Sequence, residues 1–172
     1  GPGPSDAHPR ILEAVSKKTI GHLDPQFVNL MEEIKSLLKY SFKTKNEMTY
    51  TVSAPGSAGM ETCFVNLVSP GDKVLVCING VFGKRMLENV TRIGGIPIVL
   101  EFPWGNSVDP QKVEEELKKD SSIKIVSFVH GETSTGVLSD AEAIAKVAKE
   151  NDCLTIVDTV TSFVGTPVEV DK

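Results

Sequence analysis

Asp158 is the residue of this sequence most clearly placed to do chemistry, because it directly follows a short apolar segment, CLTIV at 153–157. An amphipathic helical stretch at 140–151 precedes that segment, and the combination predicts a buried strand of a parallel sheet. A carboxylate at the carboxyl end of such a strand lies where open α/β sheets build ligand sites. Two roles remain open: a cap for the following turn, or an ionised partner for a protonated ring nitrogen.

A loop of small residues at 53–59, SAPGSAG, precedes a predicted helix. The first N–H groups of a helix attract anions, Gly56 lets a phosphate approach the backbone, and the Ser57 hydroxyl can donate to it. Ala58 lies on the same turn. The alternative is a plain turn with Ser57 as the helix N-cap, and the loop has neither the Gly-Lys-Ser/Thr of a Walker loop nor a dinucleotide fingerprint.

Two further loops follow predicted strands. The sequence HGETSTG at 130–136 is dense in hydroxyl groups, and Thr133 can donate to a ligand oxygen beside Asp158, or the hydroxyls serve only the turn backbone. Phe82 lies between two glycines, so one ring face can stack on a flat ligand, although a packing role is equally open. We assign His130 no chemistry.

Hydrophobic periodicity predicts that helices and strands alternate along the chain. Helices are predicted at 9–16, 24–42, 58–68, 83–93, 109–119 and 140–151, and strands at 49–53, 73–78, 97–101, 124–130 and 154–157. Alternation predicts right-handed crossovers, and hence an α/β domain with a mainly parallel sheet and helices on both faces. We expect an extended and helical lead-in at 1–46 and a ligand-binding domain at 47–172.

Composition limits the possible functions. The 172 residues carry a net charge of -5 and are 40% hydrophobic, which is typical of a globular domain and argues against a nucleic-acid surface. Cys63, Cys77 and Cys153 show no metal-ligand spacing, so we predict buried free thiols and no metal site. No apolar run could span a membrane, and the default location is the cytoplasm, with the peroxisome and mitochondrion as alternatives.

Eight motifs in register resemble the class V, fold-type I aminotransferases, and within them the alanine–glyoxylate and serine–pyruvate group. They are GPGPS at 1–5, GHLDP at 21–25, KTKN at 43–46, GSAGME at 56–61, PGD at 70–72, NGVFGKR at 79–85, GETSTG at 131–136 and DTVTSF at 158–163. The resemblance covers nearly the whole chain. It implies the three-layer α/β/α large domain of a fold-type I enzyme that uses pyridoxal 5'-phosphate.

The resemblance also implies roles for individual residues. Asp158 would pair with the pyridinium nitrogen, Val160 and Phe82 would cover the two ring faces, and Thr133 would lie near the phenolic oxygen. The phosphate would bind the loop of Gly56, Ser57 and Ala58. Where family members commonly have Ser-Gly-His, this chain has Pro-Gly-Ser at 55–57.

The implied reaction is amino-group transfer from alanine or serine to glyoxylate or pyruvate, in a homodimer. The family's cofactor-binding lysine, substrate-carboxylate arginine and small domain would follow residue 172, so we expect these 172 residues alone to be inactive. The alternatives are a non-catalytic fragment that binds pyridoxal phosphate, a phosphonate transaminase and a desulfurase-like lyase. The GETSTG loop favours the transaminase.

Overall fold

A computed structural model describes residue 3 and residues 5–172, so the motif at 1–5 lies partly outside the described residues. The described chain forms two compact units. One comprises the residues up to Val52 together with Val168–Lys172, and the other comprises Ser53–Pro167.

The first unit contains two helices, α1 (Pro9–Val15) and α2 (Pro25–Phe42). Asp24 caps α2 by accepting from the amide of Gln26, and a proline occupies the first turn, where its missing N–H costs nothing. The helix ends where Lys43 adopts a left-handed conformation, with φ of 50°. These signals agree with the predicted helices at 9–16 and 24–42.

The second unit alternates helices and strands as the periodicity predicts. Its elements are α3 (Gly56–Leu67), β1 (Lys73–Ile78), α4 (Val81–Arg92), β2 (Ile96–Glu101), α5 (Pro110–Lys119), β3 (Ile123–Val129), β4 (Gly131–Glu132), β5 (Val137–Leu138), α6 (Ala141–Glu150) and β6 (Leu154–Asp158). Four strands form one sheet in the order β2-β1-β3-β6, and every neighbouring pair is parallel. The prediction of a parallel sheet is therefore confirmed.

The strand order reverses direction at the centre of this sheet. From β1 the chain crosses through α4 to β2 on one side, whereas β3 and then β6 lie on the other side of β1. Open α/β sheets commonly bind ligands where the strand order reverses in this way, beside the loops that leave the carboxyl ends of the two strands. We therefore expect a ligand at the carboxyl edge of this sheet, near the ends of β1 and β3.

Helices pack on both faces of the sheet, which gives the predicted three layers. Along β1, Val74, Val76 and Ile78 face the cluster that includes residues of α3 and α4. Leu75 and Cys77 face the opposite cluster, which includes residues of α5 and α6. A central strand that is buried on both faces has a continuous run of apolar residues in its sequence, as β1 has.

Residues 49–53 do not form the predicted strand. The segment alternates in hydrophobicity, but Tyr50 is 57% exposed and no sheet partner pairs with it among the described residues. Asn46 instead forms a turn with the residues that lead into this segment. Its side-chain oxygen accepts from the Met48 amide, and its carbonyl accepts from the Thr49 hydroxyl. The antiparallel pair of β4 and β5 was not predicted.

The prediction of three buried thiols is only partly right. Cys77 lies near the carboxyl end of β1, and burial raises the pKa of its thiol to about 12. Cys153 is half-buried and Cys63 is exposed on α3, because α3 turns its opposite side towards the sheet. Across the described residues, every helix is too short or too polar to cross a lipid bilayer.

Candidate functional site

Four segments of the second unit meet at the carboxyl ends of β1, β3 and β6. They are the start of α3 (53–59), the start of α4 (79–85), the β4–β5 hairpin with the residue before it (130–138) and the turn after β6 (158–163). We call them together the four-loop cluster. The α4 start follows β1 and the hairpin follows β3, so these two segments flank the reversal in strand order.

Direct contacts hold the four segments together. A methyl group at Gly56 would lie 3.3 Å from Cγ2 of Val160, so the α3 start touches the turn after β6. The hydroxyls of Thr133 and Thr161 share a hydrogen bond, which joins the hairpin to the same turn. The Val81 amide donates to Oγ of Ser134 at 2.9 Å, which joins the start of α4 to the hairpin. The four-loop cluster is therefore a packed arrangement.

The two oxygens of Asp158 have different environments. Oδ1 accepts from the amide of Val160 at 2.9 Å, which is the turn-capping role. Oδ2 has no hydrogen-bond partner within the described part of the chain. The backbone carbonyl of Asp158 accepts from the His130 amide at 2.9 Å, which fixes the end of the strand. The carboxylate is thus oriented by one oxygen and can accept a further donor with the other.

The N-terminus of α3 has no side-chain cap. The Ala58 amide donates to the carbonyl of Pro55 at 2.9 Å, whereas the amides of Gly56 and Ser57 have no acceptor in the part of the chain that the structure describes. Unpaired N–H groups and the helix dipole together make such a terminus attractive to an anion. Ser57 is exposed, so its hydroxyl is accessible as well.

Arg85 brings a positive charge to the same place. Its Nη1 donates to Oγ of Ser57 at 2.7 Å, and its guanidinium carbon lies 4.8 Å from the centre of the Phe82 ring. The contact covers one face of the ring with a cation. Among the described residues no carboxylate forms an ion pair with Arg85. The charge is available to a bound anion.

Glu132 is a fully buried carboxylate at the centre of the four-loop cluster. Its Oε2 accepts from the amides of Phe82 and Gly83, both at 3.2 Å. Its Oε1 accepts from the Ser134 amide at 3.1 Å and from the Ser134 hydroxyl at 2.7 Å. A negative charge at a helix N-terminus is favourable, and here it comes from a different strand end.

His130, to which the sequence analysis assigned no chemistry, is packed inside the protein. It is 7% exposed, and its Nδ1 shares a hydrogen bond of 2.9 Å with Oγ of Ser162. Burial lowers the pKa of its imidazole, which favours the neutral ring at physiological pH. The Ser162 contact adds another link between the hairpin and the turn after β6.

The structure gathers all of the candidate residues into one cluster: Gly56, Ser57, Ala58, Phe82, Thr133, Asp158 and Val160. Their ligand roles stay predictions. Sequence reasoning assigned nothing to Glu132 and Arg85, although both lie within quoted motifs. Glu132 had a usable signal, because it follows a buried strand as Asp158 does. Over residues 3 and 5–172, no group of three metal-ligating side chains is placed to hold a metal ion.

The family model described as "Aminotransferase class-V" matches residues 10–172. This chain belongs to the class-V aminotransferases. The resemblance that the eight motifs carry is thereby confirmed.

Curated relatives agree with this assignment. The chain is 39% identical over 173 residues to alanine–glyoxylate aminotransferase of Mus musculus, covering 100% of this chain and 41% of the relative. It is 38% identical over 171 residues to (S)-ureidoglycine–glyoxylate transaminase of Bacillus subtilis, covering 99% and 41%. This class-V aminotransferase chain thus spans about two fifths of the length of the curated relatives it matches.

Solved structures of the family have the same fold. Alanine–glyoxylate aminotransferase from Nostoc sp. superposes with a TM-score of 0.95 at 41% identity, over 99% of this chain and 45% of that one. The match confirms a fold-type I large domain with three α/β/α layers. As a class-V aminotransferase, the chain has its four-loop cluster at the carboxyl edge of that domain's sheet.

Proposed function

We propose that the four-loop cluster binds pyridoxal 5'-phosphate and that the complete protein is an aminotransferase. The observation that carries the proposal is that two complementary groups lie together in the four-loop cluster. One is the uncapped start of α3 with Arg85 of α4 beside it, and the other is the carboxylate of Asp158, whose Oδ2 is free to accept. An anionic phosphate and a protonated ring nitrogen are the two ends of this cofactor.

The phosphate end is suited to the start of α3. The free amides of Gly56 and Ser57 and the Ser57 hydroxyl can donate to phosphate oxygens. Arg85 supplies a full positive charge through a side chain that already reaches Ser57. Gly56 lies close to Val160, so a larger residue would crowd the loop against the turn after β6.

The ring end is suited to the turn after β6. Oδ2 of Asp158 can accept from a protonated ring nitrogen while Oδ1 stays bound to the Val160 amide. Val160 is 63% exposed and Phe82 is half-buried, so both have apolar surface for the two faces of a flat ring. Thr133 already bonds Thr161, and its hydroxyl has capacity for one more partner at the phenolic oxygen.

When bound, pyridoxal phosphate supplies an electron sink that makes the α-proton of an attached amino acid removable. Asp158 keeps the ring nitrogen protonated, because its negative charge stabilises the pyridinium form. The start of α3 and Arg85 would hold the phosphate, and Val160 and Phe82 would cover the two faces of the ring. These residues bind and orient; the proton itself is moved by a lysine that the resemblance assigns to the chain after residue 172.

For substrates, we propose alanine or serine as amino donor and glyoxylate or pyruvate as acceptor. Two relatives of nearly equal identity carry glyoxylate in their names but different donors, alanine in one and (S)-ureidoglycine in the other. Glyoxylate is therefore the better supported acceptor, and (S)-ureidoglycine is the second candidate donor. We also propose a homodimer.

The test uses the protein expressed from its full reading frame. It is incubated with pyridoxal phosphate, reduced with borohydride and digested, and peptide masses are measured. We expect a phosphopyridoxyl group on one lysine after residue 172. Pyridoxal, which lacks the phosphate, is the matched control and should label far less. A protein without any adduct would contradict the proposal.

A second measurement separates the donors. Alanine, serine and (S)-ureidoglycine are added in turn to the loaded protein, and the cofactor absorption band is followed before and after glyoxylate is added. The true donor shifts the band, and glyoxylate reverses the shift. An unchanged band with every amino donor would contradict the transaminase assignment.

A further inference from the structure

The first three amides of α4 are bound by residues of the β4–β5 hairpin. The amides of Phe82 and Gly83 donate to Glu132, and the amide of Val81 donates to Oγ of Ser134 at 2.9 Å. The preceding residue, Gly80, provides no side-chain cap. The first amides of a helix are usually capped by a residue adjacent in sequence. Here the cap comes from a loop about 50 residues further along the chain.

Gly80 makes this arrangement possible. A methyl group at Gly80 would overlap Cγ and Cδ of Glu132 and Oγ of Ser134. Its backbone is extended, with φ of 177°, so the constraint is space and not conformation. The carboxylate therefore occupies the volume that a side chain at position 80 would take, directly beneath the start of α4.

The carboxylate connects two candidate walls of the cofactor site. On one side it holds the amide of Phe82, whose ring has one face covered by Arg85. On the other side Thr133 follows it directly in sequence and bonds the turn that carries Val160. A displacement of Glu132 would move Phe82 and Thr133 together.

We propose that Glu132 is a positioning residue that sets the ring of Phe82 and the hydroxyl of Thr133 at fixed places around the cofactor ring. The inference rests on the proposed function, because it takes the four-loop cluster as the cofactor site. Glu132 acts through these two residues and does not touch the cofactor.

A carboxylate is needed because both of its oxygens face donors. The amides of Phe82 and Gly83 point at Oε2, and the amide and hydroxyl of Ser134 point at Oε1. A glutamine has the same size but one NH₂ group, which must face N–H groups on one side or the other. Glu132→Gln therefore breaks one half of the connection while filling the same space.

The experiment compares variants of the protein expressed from its full reading frame and loaded with pyridoxal phosphate. The readouts are the visible circular dichroism of the bound cofactor at saturation and its dissociation constant. The dichroism reports the asymmetric placement of groups around the ring, which stability alone does not alter. For Glu132→Gln we expect a changed dichroic band and a dissociation constant raised by roughly tenfold, as for the loss of a buried charged hydrogen bond.

Asp109→Ala is the matched destabilised control. Asp109 caps α5 by accepting from the Gln111 amide at 2.9 Å, and its hydrogen bonds stay within α5. We expect this variant to unfold earlier but to keep the wild-type dichroic band. If Glu132→Gln keeps that band too, or if both variants change it equally, Glu132 has only a structural role and the inference is overturned.

Ser134→Ala covers the case in which Glu132→Gln does not fold. Ser134 is exposed, and its removal takes away only the hydroxyl between Val81 and Glu132. We expect a smaller change of the same dichroic band, and an unchanged band would overturn the inference. A wild-type protein that binds no pyridoxal phosphate would refute the proposed function, and the inference with it. If the wild-type protein binds pyridoxal phosphate and only Glu132→Gln and Ser134→Ala alter the dichroic band, the inference is supported.

Discussion

Asp158 serves a turn and a ligand site with one side chain, because its two oxygens are used separately. Oδ1 fixes the rotamer through the Val160 amide, and Oδ2 is left to accept another donor. The two roles that the sequence left open are therefore compatible. An oriented carboxylate costs no reorganisation when a ligand arrives.

Asp158→Asn separates the two roles. The amide oxygen can still accept from Val160, so the turn should form, but the negative charge that stabilises a protonated ring nitrogen is lost. We expect kcat for amino transfer to fall by about 100-fold or more, as when a preorganised electrostatic contact is removed. Steady-state kinetics of the complete protein with alanine and glyoxylate measure this.

Asp152→Asn is the control for that substitution. Asp152 lies just before the same strand, is exposed and has a φ of 56°, a conformation that asparagine tolerates. Its activity should stay within about twofold of wild type, as for an ordinary surface change. An Asp158→Asn enzyme that matches this control would contradict the assigned role.

The candidate site was partly predictable because some of its signals are local. Asp158, Phe82 and Ser57 stand in short motifs at the ends of strongly periodic elements. Glu132 was missed because its partner amides at Phe82 and Gly83 are 50 and 49 residues away in sequence. Its place after a buried strand marks Glu132 as a candidate site residue, but no local pattern pairs it with the glycine at position 80 or with the start of α4.

At the scale of elements, α3 depends on its buried side to hold its N-terminus against the sheet edge. Phe64 is fully buried in the cluster that lies under α3 and α4, while its neighbour Val65 is 56% exposed. Helix propensity alone would not fix the helix, since a segment of this length is marginal in isolation.

Phe64→Ala should therefore destabilise the protein by about 3–5 kcal/mol, the usual cost of an aromatic truncated in a core. Val65→Ala removes an apolar side chain from the exposed side of the same helix and should change the free energy of unfolding by less than about 0.5 kcal/mol. Urea unfolding of both variants provides the comparison. Equal losses would show that α3 does not pack by the side containing Phe64.

Strands and helices were predictable to within a few residues where the periodicity had a packing partner. Residues 49–53 had the alternation of a strand, but a strand forms only beside another backbone, and none pairs with it in the described chain. The β4–β5 hairpin has two residues in each strand, which is too short for any periodicity. Both errors concern pairing, which a local pattern does not encode.

For the molecule as a whole, acid stability depends on charges that join separate parts of the sheet. Asp120, after α5, accepts from Nζ of Lys73 at the start of β1 at 2.6 Å and from Ser122. The Lys73 hydrogen bond, then those of Ser122, lower the pKa of Asp120 from 3.8 to about 2. A lowered folded-state pKa stabilises the protein fully above the unfolded-state value.

This contribution should be lost as the pH falls from about 4 to about 2, since the carboxylate is then protonated. Asp120→Asn should flatten the dependence of the unfolding midpoint on pH within that window. Lys73→Met should do the same from the other side of the pair. Thermal unfolding at several pH values measures the slopes, and variant curves parallel to wild type would contradict the assignment.

The strand order described above also bears on how the chain reaches its fold. In the central pair Leu75 faces Val126, and the whole of α4, β2 and α5 lies between them in sequence. Closing so large a loop costs entropy before the pairing returns any free energy. The β1–α4–β2 crossover can assemble from nearby residues, but the four-loop cluster beside β1 forms only once β3 docks. We therefore expect ligand-binding competence to be gained in the slow phase of folding, after most of the helix content has formed.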